Sequence, residues 1–436
     1  MRILELNDIA LRLFDNETLV LDSPALAVLQ NNEFLTGDAA RRQARLNPRV
    51  TFDQFWEHLD QQALNRPAGR ARSHADIAWF YLQQLLATAG NPEAETLLLV
   101  PEQFGGQRLA LLLGIAQSCG VSVAGVAEKS VVACAGVTPS NGALRYLDIT
   151  RHRLYCSDLV LDQRLALNSA RELNAPGWRW CEEQSIRQLS AQFLQETRFD
   201  PLHEAASEQR LYDRLPSLLA SLNTADRVNV NLPAGQRDHR IDWHRDELIK
   251  ALNDVYQALE VAVEEATGPV VLSHRLNLLP GLVDRLRQRG QCLLLDDSAL
   301  PRNALALQAQ LVSEASAPVW VKALTLDAGR NTSSLSNDSA TNTNSNTTNS
   351  NTANTNTGGG SPTHILCDGV ATPLSASRLP APVRAKRDTA GWVLQANTAE
   401  PLLLNNRPLT QLPVQVGDRL QVAGCEYVFI RVSDGD

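Results

Sequence analysis

Residues 96–120, TLLLVPEQFGGQRLALLLGIAQSCG, decide the fold class of this 436-residue chain. The run Thr96–Val100 is almost wholly apolar, which is typical of a strand buried on both faces of a sheet. From Gly106 to Cys119 the apolar residues recur at helical spacing, and Gly120 is a helix stop signal. A buried strand joined to an amphipathic helix predicts α/β architecture, with helices covering a mixed sheet.

The alternation of strands and helices extends from residue 1 to residue 329. Predicted strands are Ile3–Leu13, Thr18–Leu21, Ala27–Leu35, Thr96–Val100, Val121–Val126, Leu144–Asp148, Arg153–Asp162, Pro269–Leu272 and Cys292–Leu295. Predicted helical segments are Ala39–Leu46, Phe52–Leu64, Ser73–Ala89, Gly106–Cys119, a segment ending at Ala135, Glu182–Asn223, Trp243–Ala266, Pro280–Arg289 and Asn303–Ser313. The stretch around Asp238–Arg240 reads as a polar loop.

Composition divides the rest of the chain into two parts. Residues 330–362 are nearly all Asn, Thr and Ser and close with three glycines, so burial of apolar surface cannot offset the entropy of ordering them. We expect a disordered linker there. Residues 363–436 contain short alternating runs separated by Asp-Gly, Asn-Asn and Gly-Asp turns, which predicts a small all-β sandwich or barrel, and we expect a β-sandwich.

Charge and cysteine usage narrow the class of protein. The formal net charge of −8 supplies no basic surplus to neutralise phosphates, which argues against a nucleic-acid partner. No run is long and apolar enough for a membrane helix, so we expect no membrane insertion. The seven scattered cysteines form no CxxC pair, which favours reduced thiols and a cytoplasmic protein. No histidine has metal-ligand spacing, and we predict no metal site.

Several segments in the same order resemble the nucleotide-binding domain of DnaK-type (seventy-kilodalton heat-shock) chaperones. The first is Leu99–Arg108, which is similar to the motif V-P-x-x-F-x-x-x-Q-R. The others are Leu35–Ala44 with Asn47-Pro48, Ile115–Val123, Ala127–Ala133, Phe199–Pro201 and Trp243–Leu248. The resemblance covers about residues 1–325 and implies a two-lobed fold of the actin-like, ribonuclease H-like kind. It places lobe I at about 1–140 and lobe II at about 141–329.

In that family two hairpin loops and one turn hold the nucleotide, and all three are rich in glycine. A glycine lets backbone N–H groups approach phosphate oxygens without an intervening Cβ atom. Here the corresponding stretches are Glu5–Ile9, Asp148–Arg153 and Leu272–Pro280, and the glycines are absent from each. We therefore expect a degenerate, pseudo-ATPase site with no cofactor.

The alternative is a divergent ATPase or ATP-binding chaperone. The resemblance would then place Glu5, Asp148 and Glu128 around Mg-ATP as the catalytic carboxylates. The nucleotide-binding residues in this reading are Asn7, Asp8, Thr150, Arg151, Ser273 and Arg275. The run Arg151-His152-Arg153 is a further candidate for an anion site made of side chains, although charged residues are also common at exposed turns.

The C-terminal part resembles the end of a forkhead-associated (FHA) domain in Asn405–Leu409 and Val416–Gly424. Such domains read phosphothreonine, but the family's Ser-x-x-His stretch and early Gly-Arg turn are missing. The candidate phosphopeptide or partner-binding residues are Arg378, Arg384, Arg387, Asn405 and Asn406, with Lys386 in the same basic run. The favoured reading of the basic run is a solvated loop, and the other alternative is contact with an acidic protein partner.

The expected function is therefore a non-catalytic, DnaK-like scaffold or adaptor. It would bind protein partners through the actin-like body and a tethered β domain, since two modules on one flexible tether raise the effective concentration for a bivalent partner. Besides the ATPase, a third alternative is a cytoplasmic component of a membrane-bound machine.

Overall fold

The structure is a computed structural model that describes residues 1–90, 94–137, 139, 142–234, 237–312 and 318–326, with nine strands between residues 364 and 430. The predicted linker at 330–362 lies outside the described residues. Two names are used below: the first half is residues 1–137 and the second half is residues 142–312. The segment 318–326 is called the strap.

The first half contains ten strands and four helices. The strands are β1 (Arg2–Glu5), β2 (Ala10–Asp15), β3 (Thr18–Pro24), β4 (Ala27–Gln30), β5 (Glu33–Thr36), β6 (Thr51–Phe52), β7 (Ala63–Ala68), β8 (Ala71–Ser73), β9 (Thr96–Val100) and β10 (Val123–Glu128). The helices are α1 (Gly37–Arg41), α2 (His74–Ala89), α3 (Gly106–Ser118) and α4 (Lys129–Cys134), and Pro48–Val50 is a 3-10 turn.

The second half and the strap continue the alternation. Their strands are β11 (Ala143–Ile149), β12 (Arg153–Leu161), β13 (Leu165–Pro176), β14 (Arg227–Ala234), β15 (Arg237–His244), β16 (Val270–Leu272), β17 (Cys292–Leu294), β18 (Trp320–Val321) and β19 (Ala323–Leu324). The helices are α5 (Trp178–Thr197), α6 (Ala205–Thr224), α7 (Arg245–Ala251), α8 (Asn253–Glu264), α9 (Leu282–Arg289), α10 (Ala299–Ala306) and α11 (Gln308–Leu311), and His274–Leu278 is a 3-10 helix.

The described strands after the predicted linker form two antiparallel sheets. They are β20 (His364–Cys367), β21 (Val370–Pro373), β22 (Val383–Asp388), β23 (Gly391–Ala396), β24 (Leu403–Leu404), β25 (Arg407–Pro408), β26 (Gln411–Val414), β27 (Arg419–Val422) and β28 (Cys425–Ile430). One sheet has the order β21-β20-β28-β27-β24-β25 and the other has the order β22-β23-β26.

The two halves repeat one strand arrangement. The first sheet has the order β18-β10-β9-β1-β2-β3, and the second has the order β17-β16-β11-β12-β13-β19. In each, three consecutive strands form an antiparallel meander, and two later strands add in parallel beside the first strand of that meander. Helices cover these mixed sheets, so the predicted α/β class is confirmed.

The hydrophobic core has three main parts. One lies between the first sheet and α2 and α3, and another lies between the second sheet and α5, α6, α8 and α9. The third is contributed by both sheets and includes Ile3, Leu97, Tyr146 and Val271, all at most 3% exposed. This shared part packs the two sheets against each other, with α4 and α10 beside them.

The strap fastens the two sheets together with five consecutive residues. Trp320–Val321 pairs in parallel with β10 of the first sheet, and Ala323–Leu324 pairs antiparallel with β13 of the second. The strap was missed by the sequence reasoning because each strand is only two residues long, which is too short to show alternation.

Local sequence explains several boundaries. Ser73 caps α2 through a capping box, in which its hydroxyl accepts from Asp76 N at 3.2 Å and Asp76 accepts from Ser73 N at 3.0 Å. The predicted strand Ala27–Leu35 is instead the hairpin β4–β5. Asn31 and Asn32 turn it with φ angles of 50° and 64°, a left-handed conformation that asparagine tolerates well.

Other expectations need correction. The predicted helix at Phe52–Leu64 is wrong, because turns follow β6 there and β7 begins at Ala63. The predicted polar loop at Asp238–Arg240 is part of β15, whose partner strand β14 was also missed. Val230 and Leu232 of β14 and Ile241 and Trp243 of β15 are buried, and the alternate positions Asn231 and Asp242 are polar, so only one face shows an apolar signal.

Within the described ranges, no helix combines the length and apolar character needed to cross a membrane.

Gly125 provides a test of the packing between β10 and the end of α11. A methyl group at this position would lie 1.9 Å from Leu311 O, whereas one at Gly106 would meet nothing within 4 Å. We expect Gly125→Ala to lower the free energy of unfolding by about 1–3 kcal/mol through overpacking. Gly106→Ala, the control on the first turn of α3, should leave it unchanged or raise it by about 0.4–1 kcal/mol. Denaturant unfolding measures both, and equal values would contradict the packing described.

Candidate functional site

The two hairpin loops that the sequence resemblance compares with phosphate loops face each other between the sheets. The first joins β1 to β2 and the second joins β11 to β12. Asn7 Nδ2 donates to Ile149 O at 3.1 Å and lies 3.4 Å from Asp148 Oδ2. Asp8 Oδ1 accepts from Arg151 N at 2.6 Å. The loops therefore bind each other directly.

Three backbone N–H groups of these loops are hydrogen-bonded within the loops themselves. Ile9 N donates to Asn7 Oδ1 at 2.9 Å, and Arg151 N donates to Asp8 as above. Thr150 N donates to Arg153 O at 2.9 Å across the hairpin turn. In a phosphate loop such groups would point at the ligand.

Glu5, at the end of β1, pairs with Arg275 of the second half. Arg275 Nη2 lies 2.9 Å from Glu5 Oε1 and 3.2 Å from Ala10 O, and both side chains are buried, at 4% and 1% exposure. Arg12 Nη1 lies 3.8 Å from the other oxygen of Glu5. One carboxylate therefore holds guanidinium groups from both halves.

A second buried pair joins Lys129 to Asp148. Lys129 Nζ donates directly to Asp148 Oδ2, and the two side chains are 1% and 4% exposed. Lys129 is the first residue of α4, and Asp148 is in β11 of the second half. We call the six residues Glu5, Asn7, Arg12, Lys129, Asp148 and Arg275 the central charge network.

The pKa values follow from this pairing. Burial alone would raise the pKa of Glu5, but Arg275, His274, Lys129 and Arg12 together lower it to about 2. Burial would lower the pKa of Lys129, but Asp148, Glu5 and Glu102 raise it. The charged forms are therefore stabilised on both sides of the network, and burial raises the pKa of the neighbouring Asp8.

The predicted carboxylate shell for Mg²⁺ does not fit this geometry. Glu5 faces Arg275 and Asp148 faces Lys129, so each points at a cation already present in the protein. Glu128 is 2% exposed at the end of β10. Among the residues that the structure describes, no group of three or more histidine, cysteine, aspartate or glutamate side chains is arranged to hold a metal ion.

The first residues of α5 and the residue before them also hold the second loop in place through backbone hydrogen bonds. The N–H groups of Gly177, Trp178 and Arg179 donate to the carbonyls of His152, Thr150 and Arg151 at 3.0, 2.9 and 2.7 Å. These are the free donors of a helix N-terminus, which often bind anions. Here they bind the loop, because Gly177 has no Cβ to separate the two backbones.

The side chains of the candidate anion site Arg151-His152-Arg153 make ion pairs and a hydrogen bond within the protein. Arg151 contacts Asp53 at 3.2 Å and Glu182 at 3.1 Å, and Arg153 contacts Glu57 at 3.2 Å and Glu172 at 2.6 Å. His152 Nε2 lies 3.0 Å from Asp53 O. Both guanidinium groups are thus paired with carboxylates of the chain.

The third stretch forms the 3-10 helix His274–Leu278 instead of a glycine turn. Ser273 Oγ caps it by accepting from Arg275 N at 3.3 Å, which directs the Arg275 side chain towards β1. Of the predicted nucleotide-binding residues, Asn7, Asp8, Thr150, Arg151, Ser273 and Arg275 are therefore brought together at the interface of the halves. Each of them is hydrogen-bonded within the chain.

The candidate residues of the C-terminal part fall into two groups. Arg378, Asn405 and Asn406 lie outside the described residues. Arg384 and Arg387 are backbone positions of β22.

Sequence reasoning missed Lys129 and Arg12 as members of the site. Lys129 directly follows the carboxyl end of β10, and Arg12 interrupts the apolar run Ala10–Phe14. A charged residue in an otherwise buried strand indicates a buried ion pair, since an unpaired charge there is costly. That signal was available for Arg12.

No protein-family model matches the chain, and no curated protein is similar enough to count as a relative.

Removing Arg275 from its buried ion pair with Glu5 should destabilise the folded protein. We expect Arg275→Ala to lower the free energy of unfolding by about 3–5 kcal/mol, because Glu5 would remain charged and buried. Combining it with Glu5→Gln should recover part of that loss in a double-mutant cycle. The matched control is Arg287→Ala, in an exposed pair with Asp284 at 3.8 Å, which should cost less than about 1 kcal/mol. Strict additivity of the two core changes would contradict the pairing.

Glu5 should also leave a signature in the pH dependence of stability. Its pKa falls from 4.5 to about 2 on folding, so the stabilisation is complete above pH 4.5 and is lost as the pH falls towards 2. The contribution at neutral pH is about 3 kcal/mol.

The measurement is urea unfolding of the wild type and Glu5→Gln between pH 7 and pH 3. The difference between the two proteins should shrink below pH 4.5. A difference that stays constant to pH 3 would contradict the lowered pKa.

Proposed function

We propose that this protein is a non-catalytic scaffold or adaptor whose body is a degenerate, DnaK-like member of the actin-like superfamily. One observation carries the proposal: the central charge network occupies the interface of the two hairpin loops, and the loop N–H groups of Ile9 and Arg151 are hydrogen-bonded to Asn7 and Asp8. A triphosphate would have to displace those side chains and break two buried ion pairs.

The repeated strand order of the two sheets supports the actin-like part of the proposal. An actin-like body is built of two such halves with nucleotide between them. A fold does not fix an activity, so the function is argued from the loops. Their side chains hold the halves together through protein contacts, and such a body is suited to binding partners.

Three further elements belong to the same proposal. The scattered, reduced cysteines favour a cytoplasmic location. The acidic net charge favours protein partners over nucleic acid. The C-terminal strands, joined through the Asn/Thr/Ser-rich segment, would supply a second, FHA-like binding module.

Calorimetry of the purified full chain with Mg-ATP tests the loss of nucleotide binding. We expect no saturable heat at millimolar Mg-ATP and no phosphate release above that of Asp148→Ala, because Asp148 is engaged by Lys129.

Saturable micromolar binding, with turnover that disappears in Asp148→Ala, would contradict the proposal and favour the divergent ATPase. The control for folding is a thermal unfolding curve of the same preparation. A cooperative transition shows that a lack of ATP binding is not caused by an unfolded sample.

A further inference from the structure

A cleft of about 520 Å³ opens between the two halves beside the central charge network. Its apolar wall includes Leu26 of the first half and Leu219 and Leu278 of the second. The charged residues that line it are Asp22, Asp38, Arg41, Arg151, His274, Arg275 and Asp297. A concave, partly apolar cavity of this volume is the usual form of a small-molecule site.

The cations of the cleft are already paired with carboxylates. Arg275 holds Glu5 at 2.9 Å, Arg151 holds Glu182 at 3.1 Å, and Arg41 lies 3.6 Å from the same Glu182.

His274 adds no positive charge near neutral pH. Burial and Arg275 lower its pKa to about 4, and it stays neutral as a result. An incoming anion would therefore find no cation that is not shared with a carboxylate of the chain.

The three carboxylates that line the cleft are more accessible than its three guanidinium groups, whose side chains are 4–17% exposed. Asp22 and Asp297 share the one guanidinium of Arg12, at 3.8 and 3.2 Å, and their side chains are 51% and 79% exposed. Asp38 is exposed on the same cleft. Burial raises the pKa of Asp22, and Glu5 and Asp297 add to that effect while Arg275 and Arg12 oppose it. A cation beside Asp22 would relieve this repulsion.

Contacts across the cleft favour a compact ligand over a passing polypeptide. Arg12 Nη1 lies 3.0 Å from His274 Nε2, and Arg41 Nη2 donates to Tyr212 O at 3.1 Å. Arg12 and Arg41 belong to the first half, and their partners belong to the second. The halves are thus joined beside the cleft at two separate points.

We propose that this cleft binds a small organic cation, a primary amine or guanidinium on an apolar body. The cationic group pairs with the solvent-exposed parts of the Asp22 and Asp297 carboxylates, which Arg12 leaves accessible, and the apolar body packs on Leu26, Leu219 and Leu278. The charge preference is opposite to that of a phosphate site. The proposal does not rest on the adaptor function, because it concerns a different set of side chains from the loops.

The test is calorimetry of the full chain with hexylamine and agmatine at low ionic strength, with hexanoate, hexanol and ATP as comparison ligands. We expect both amines to bind saturably and hexanoate and ATP not to bind, with hexanol weaker than hexylamine. Asp22→Asn and Asp297→Asn should each weaken amine binding by about tenfold or more, since each removes a charged acceptor. Asp284→Asn, whose side chain is 78% exposed outside the cleft, should leave it unchanged.

A second variant separates loss of the site from loss of the fold. Ala220 is exposed on α6 and lines the cleft, so Ala220→Phe fills the cavity without entering the core. It should abolish amine binding while the thermal transition stays intact. The proposal is overturned if no amine binds at millimolar concentration, if hexanoate or ATP binds more tightly than hexylamine, or if amine binding survives in Asp22→Asn or Ala220→Phe.

Discussion

The buried ion pair between Glu5 and Arg275 is the constraint on which the arrangement of the two halves depends. Removing two charges from water is expensive, and it is offset only where each charge has close, well-directed partners. The Glu5 carboxylate lies close to guanidinium groups from both halves, and Lys129 and Asp148 form a second buried ion pair nearby. The short 3-10 helix and the close contact of the hairpin loops are the local conditions that bring these side chains together.

The two hairpin loops beside this ion pair use some of their own N–H groups within the protein. A glycine-rich loop leaves its N–H groups free for a ligand, whereas Asn7 and Asp8 satisfy the equivalent groups internally. The loops therefore act as an interface between the halves.

Much of the fold could be predicted from the sequence, because long periodic segments such as Thr96–Val100 and the α3 region carry their own signal. The hairpin β14–β15 and the strap could not, since the first shows apolar residues on one face only and the second is too short for a pattern. For the site, the sequence located the loops, Glu5 and Arg275, but not the ion pair between Glu5 and Arg275. Glu5 looked like a metal ligand because a carboxylate at a strand end has the same appearance whether its counter-charge is a metal ion or a distant arginine.

The strap has a mechanical consequence. Its two short strands are consecutive, so any tension applied from the C-terminal side reaches β19 first and then β18. Lys322 between them contacts the Trp320 ring at 4.0 Å, which anchors the junction. β19 is antiparallel to β13 of the second sheet, whereas β18 is parallel to β10 of the first sheet. A pulling force along the chain would therefore act on the two sheets in different directions relative to their strands. The strap is therefore the point at which force applied to the chain beyond residue 326 would reach the two sheets.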